Sequence, residues 1–125
     1  MRKYLLTIAC LLTVLLQAEG QQLDSAKVRA VDSLLTRYLD AIGTEPLRVK
    51  TEECDFMVSA CTDSLLRQYT AVRLYEHFFS SDLMGDDAVA IHLYDKWFAP
   101  KKVRMYSEID ELNAGIFAEF NRQTL

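Results

Sequence analysis

Beyond residue 23 the apolar residues of this chain recur at spacings of three and four, and hardly anywhere do they alternate. That rhythm fits the 3.6-residue turn of a helix and not the two-residue repeat of a strand, so it predicts an all-α fold, a small bundle of about five helices. Asp24 is placed to cap a first helix whose Val28, Val31, Leu35, Tyr38, Leu39 and Ile42 share one face, with Gly43 as its stop. Pro46 suits the first turn of a second helix over about 47–61, with Leu47, Cys54, Met57, Val58 and Cys61 on one stripe. Thr62 and Asp63 can cap a third, about 64–79, whose main face carries Leu65, Tyr69, Val72, Tyr75 and Phe79. A fourth starts at Asp86 or Asp87, where two acids favour the positive end of the helix dipole. The fifth begins at Ser107, with Asp110 three residues on in a capping-box arrangement and Ile109, Leu112, Ile116, Phe117 and Phe120 on one side.

The first twenty residues have a different character. MRKYLLTIACLLTVLLQAEG opens with Arg2 and Lys3, runs apolar from Tyr4 to Leu16 and offers Ala18 and Gly20 at a small-x-small spacing. This is the pattern of a cleaved secretory signal peptide, 1–20, and its apolar run is shorter than the roughly 20 residues that span a bilayer. Cys10 sits inside that run, a poor position for lipid attachment, and is expected to be discarded with the leader. The remaining residues, 21–125, are read as one helical accessory domain, periplasmic or secreted, with no stable membrane span. The last helix runs out at NRQTL without a glycine stop or polar tail, which fits a chain cut at a domain junction.

The net charge of -4 leaves no electrostatic footprint for nucleic acid. Lys101, Lys102 and Arg104 beside Pro100 read as a solvated connection, and no ligand is assigned to them. An oxidising destination brings a disulfide between Cys54 and Cys61 into question. On a continuous helix, seven residues at about 1.5 Å each set their Cα atoms roughly 10 Å apart, beyond the roughly 7 Å that a disulfide bridges. Both are then buried thiols used as small hydrophobes; a helix broken between them would reopen the disulfide.

No catalytic or metal-binding motif stands out, and neither catalytic residues nor a cofactor are assigned. The pair Cys54 and Cys61 is a C-x6-C, whereas dithiol redox chemistry uses C-x-x-C with the first thiol at a helix start. His77 and His92 stand on different helices without zinc-ligand spacing; Glu76, His77, His92 and Asp95 could converge only if those helices pack side by side. Serine nucleophile elbows and phosphate loops are absent from the sequence. Glu76 projects towards the centre of the third helix's apolar face, where it reads as a candidate buried pair, since a carboxylate facing a core needs a cation or donor opposite it.

The stretch MGDDAVAIHLYDKWF, residues 84–98, is apolar over more than half its circumference, and Ala88, His92, Asp95 and Lys96 occupy the remainder. So broad a face belongs either to the central helix of the domain or to one that meets another domain. Trp97, Tyr94, Phe98, Phe117 and Phe120 are the candidate interface residues.

Four motifs carry a resemblance: YEHF at 75–78, MG at 84–85, AVAIHLYDKWF at 88–98 and FAEFNRQTL at 117–125. With them the last half of the chain resembles the N-terminal helical domain, of unassigned role, that precedes a thioredoxin-like domain in exported Bacteroidetes thiol-disulfide oxidoreductase and redoxin proteins. The resemblance implies a chain truncated before the redoxin domain and a function in packing on or positioning it. It gives this chain no activity, because the family's active cysteines lie downstream and no residue here matches them. The rival reading is a freestanding envelope binding or interaction protein that uses an exposed aromatic face. An enzyme built on Glu76, His77 and His92 is the third.

Overall fold

The computed structural model describes residues 25–122; the leader and the Asp24 cap expected from sequence lie outside the described residues. The described residues are all-helical: α1 (Ser25–Ile42), α2 (Leu47–Ala60), α3 (Ser64–Phe79), α4 (Asp86–Leu93) and α5 (Glu108–Arg122). They fall into two compact units whose division lies between Thr70 and Ala71, inside α3.

In the first unit, α1 buries Val31, Leu35, Tyr38, Leu39 and Ile42 of the six residues that its periodicity aligns, and Val28 is half-buried. It ends where the sequence places its stop, with Gly43 the first residue past Ile42. Among the described glycines only Gly85 has positive φ, so α1 closes without a left-handed Gly43. A tight turn does it, with Gly43 N–H donating to Asp40 and Glu45 N–H to Ile42. Pro46, with the φ of -60° that its ring fixes, flanks the start of α2 as its N-cap, and the helix ends as Cys61 turns extended. Cys54, Met57, Val58 and Cys61 are buried, but Leu47, on the first turn, is 40 % exposed, and Lys50 is buried. Asp63 caps α3 by accepting from the Leu66 N–H at 3.0 Å.

Two phenols tie the first unit together. The Tyr38 hydroxyl donates to Glu53 of α2 at 2.8 Å, and the Tyr69 hydroxyl donates to Asp32 of α1 at 2.9 Å. Burial, and then the Glu53 carboxylate, push the Tyr38 hydroxyl far above the ordinary phenol range, so it stays protonated and can only donate to that acid.

The buried residues of α3 are not centred on the expected stripe. Leu66, Thr70, Ala71, Leu74 and Phe78 are buried beside Val72 and Tyr75, whereas Leu65 and Phe79 are each about half exposed. Two adjacent apolar rows run along this helix, and a helical wheel cannot choose between them.

In the second unit, Gly85 precedes α4 with φ 94°, a conformation in which a Cβ would be strained. The cap residue therefore offers no side chain, and the two acids lie in the first turn. Asp86 is buried and accepts from the Ser81 hydroxyl at 2.8 Å, which in turn accepts from Leu83 N–H. The helix thus starts at Asp86, as the sequence predicts, with both acids at the positive end of its dipole. It does not run regularly to Phe98. Residues Tyr94–Phe98 form a single π turn, closed by Ala99 N–H donating to the Tyr94 carbonyl five residues back at 2.8 Å. Beyond it, Lys101 takes a left-handed φ of 63° in the turn after Pro100.

Candidate docking face and pocket

Helix α5 is capped as its sequence predicts, with Asp110 N–H donating to the Ser107 hydroxyl at 3.1 Å. Its orientation is the reverse of what its apolar stripe implies. The side towards the rest of its unit carries small residues, with Ala114 and Ala118 buried. Ile109, Leu112, Ile116 and Phe120 face outward, 70, 64, 57 and 74 % exposed. Spaced by three and four residues, they form one continuous apolar stripe along the helix.

The reason for the small inner residues is close approach. A Cβ placed on Gly115 would stand 2.9 Å from the Tyr94 hydroxyl, so the helix backbone rests directly against that phenol. A larger residue on the inner side would hold α5 away from the π turn.

The other candidate interface residues divide. Trp97 and Phe98 are buried, which corrects the expectation that the Trp97 side is open to a partner. Val103 N–H donates to the Trp97 carbonyl, and Val103 and Met105 of the 99–106 connection are themselves buried. Lys96 and Lys102 each stand over the Trp97 ring, 5.7 and 5.8 Å from its centroid. Tyr94 and Phe117 are half-buried, the latter with its ring 4.7 Å from that of Phe79. Phe120 alone of the five is largely exposed.

Glu76 is exposed, and this corrects its reading as a buried pair. It stands instead at a pocket of about 230 Å³. Val72, Tyr75, Glu76 and Phe79 of α3 form one wall, Met105 and Tyr106 another, and Asp110, Asn113 and Ala114 of α5 the third. The lining is mostly apolar. Glu76, Asp110 and, further along α5, Glu119 have no ion pair among the described residues. Tyr106, exposed beside them, has its phenol raised above its usual range by desolvation of its covered part and then by the Glu76 charge. Tyr75 presents its ring to the pocket while its hydroxyl is buried without a protein hydrogen-bond partner. Burial, with the neighbouring Tyr94, pushes that phenol up to about 12.

By contrast, Glu111 is fully engaged. It accepts from the Arg104 guanidinium at 2.7 and 3.1 Å, from Lys101 Nζ at 3.1 Å and from the Met105 N–H at 3.1 Å. Arg104, against the opposing desolvation and with help from Lys101 and Met105, holds its carboxyl down to about 2. Two of the three cations that read as a solvated connection thus fasten the 99–106 segment onto α5. Local spacing holds no pointer to this, because the acid lies seven and ten residues away.

Cys54 and Cys61 are both fully buried, and no disulfide joins them. Burial raises the Cys61 thiol above its usual range, against lowering by Thr70 and Arg67. His77 packs its ring edgewise on Phe78 at 4.9 Å, His92 is half-buried, and Asp95 pairs with Arg122 of α5. Among the described residues no group of three His, Cys, Asp or Glu side chains is gathered to hold a metal. No described helix is long and apolar enough to cross a membrane.

Neither a family model, nor a curated protein, nor a solved structure matches the chain. The pocket residues Met105, Tyr106 and Asn113 escaped sequence reasoning, since three separate segments must meet before they line anything.

Proposed function

We propose that this chain is an exported, non-catalytic helical accessory domain that packs on or positions a thioredoxin-like domain through the outward face of α5. One observation carries the interaction reading: a helix with four large apolar side chains at 109, 112, 116 and 120 turns them to solvent and its alanines inward. Leaving that stripe in water forgoes about 1.5–3 kcal/mol for each side chain that a partner could bury. The thioredoxin-like identity of the partner rests on the resemblance carried by residues 75–98 and 117–125, and the exported location on the pattern of residues 1–20.

The pocket beside α5 favours a second reading, a freestanding envelope binding or interaction protein. The coding sequence after codon 125 separates the two. A redoxin domain with C-x-x-C there, together with slowed amide exchange across α5 when that domain is attached, is the expected result. A stop codon at that point, or α5 amides that exchange equally fast with and without the domain, overturns the accessory reading.

A further inference from the structure

The pocket narrows what kind of partner segment the α5 face accepts. At about 230 Å³ it lies below the roughly 300–1,000 Å³ of pockets that enclose whole small-molecule ligands. It is large enough for one ring or branched side chain; a dry apolar cavity of about 150 Å³ already admits benzene. Its walls are aromatic and aliphatic, and its charged groups are carboxylates alone, Glu76 and Asp110.

The pocket and the stripe are one surface. Asn113, at the pocket, is four residues from Ile109 and three from Ile116, so it adjoins both along the helix. Exposed aromatics, Tyr106 and Phe79, border the same opening. A segment lying along α5 would bury the stripe and could drop a single side chain into the pocket, the arrangement of an anchor residue in an interface. As it did so, it would cover Glu76, Asp110 and Glu119, none of which has a cation of its own. Covering unpaired carboxylates is costly unless the incoming chain brings positive charge.

We infer that the α5 face and its pocket bind a basic amphipathic peptide segment, one aromatic or large aliphatic side chain entering the pocket and flanking Lys or Arg residues meeting Glu76 and Asp110. This rests on the proposed docking role of α5 and specifies its partner by chemistry.

The test begins with a library of random 16-residue peptides displayed on phage and selected against the full chain, the winners then being synthesised and measured by calorimetry. The expected consensus is a large apolar residue flanked by Lys or Arg. Replacing that residue by Ala is expected to weaken binding about tenfold or more, and Glu76→Gln with Asp110→Asn about three- to fivefold, an effect that shrinks in high salt. A consensus that is acidic or lacks a large apolar residue, or no enrichment at all, overturns the inference. Binding abolished by Ile116→Ser with Phe120→Ser but indifferent to the Glu76 and Asp110 changes overturns the pocket's role and leaves the docking face standing. Binding that needs Glu76 and Asp110 but ignores Ile116 and Phe120 overturns the docking reading of α5 and leaves the pocket as a peptide site.

Discussion

The Tyr94 hydroxyl lies 2.9 Å from the place a Cβ on residue 115 would take, and Gly115 is the residue that lets α5 rest against the π turn. Glycine inside a helix costs about 1 kcal/mol relative to alanine. Gly115→Ala is therefore expected to gain less than that in the natural chain, and to recover the full gain of about 1 kcal/mol when Tyr94→Phe removes the oxygen. Urea unfolding of the two single variants and the double variant measures the coupling. Equal gains in both backgrounds would mean that the contact does not govern this position.

The Glu111 clamp sets a pH dependence. Its carboxyl is depressed from the usual 4.5 to about 2, first by Arg104, so the folded state holds the proton less tightly than the unfolded chain does. The stability it contributes is then fully present above the usual carboxylate range and is lost as pH falls from there towards about 2. The difference in urea midpoint between the natural chain and Glu111→Gln is expected to be constant above that range and to close below it. A gap that persists unchanged at the acid end would show that the charge is not what matters.

Two buried tyrosines should respond in opposite senses to loss of their hydroxyls. Tyr38→Phe strands Glu53 without its donor and is expected to destabilise by about 1–2 kcal/mol. Tyr75→Phe removes a buried hydroxyl that has no protein partner, and is expected to be neutral or stabilising by up to about 1 kcal/mol. Thermal melts of both variants decide it, and a Tyr75→Phe that loses as much as Tyr38→Phe would contradict the assignment.

How much of this was legible in the sequence depended on the kind of signal. Helix limits were readable at Pro46, Asp63 and Ser107, because a cap or a proline acts on its own neighbours. The inner face of α1 was readable because it has a single apolar row. In α5 the large apolar row and the Ala114–Ala118 row were both present, and period alone says that a stripe exists, not that it is covered. The π turn left no trace in YDKWF, which contains neither glycine nor proline. Glu76 was misplaced because the buried row of α3 lies to one side of the one its wheel selects. The pocket needed the 99–106 connection folded back onto α5, a contact set by Glu111 at a distance that local spacing cannot reveal.

Cys54 and Cys61 are fully buried and not joined to each other. Alkylation of either by iodoacetamide is expected to be negligible in the folded chain and to follow the rate of opening in mild urea, with reductant leaving the urea midpoint unmoved. Rapid labelling of Cys54 or Cys61 without denaturant, located by peptide mass, would overturn their assignment as packing groups.

The π turn at Tyr94–Phe98 also fixes where this chain tolerates a change of length. Such a turn accommodates one residue more than an α-helical turn, so the residues after it lag by about 100° relative to an unbroken helix. Deleting a single residue there would straighten the helix while leaving the downstream segment in phase; the same deletion earlier in α4 would rotate Trp97 and Phe98 out of the interior. Against a chain whose helix runs regularly through this segment with one residue fewer, the gap belongs within YDKWF, and a column match forced through those five letters would pair side chains that occupy different places in space.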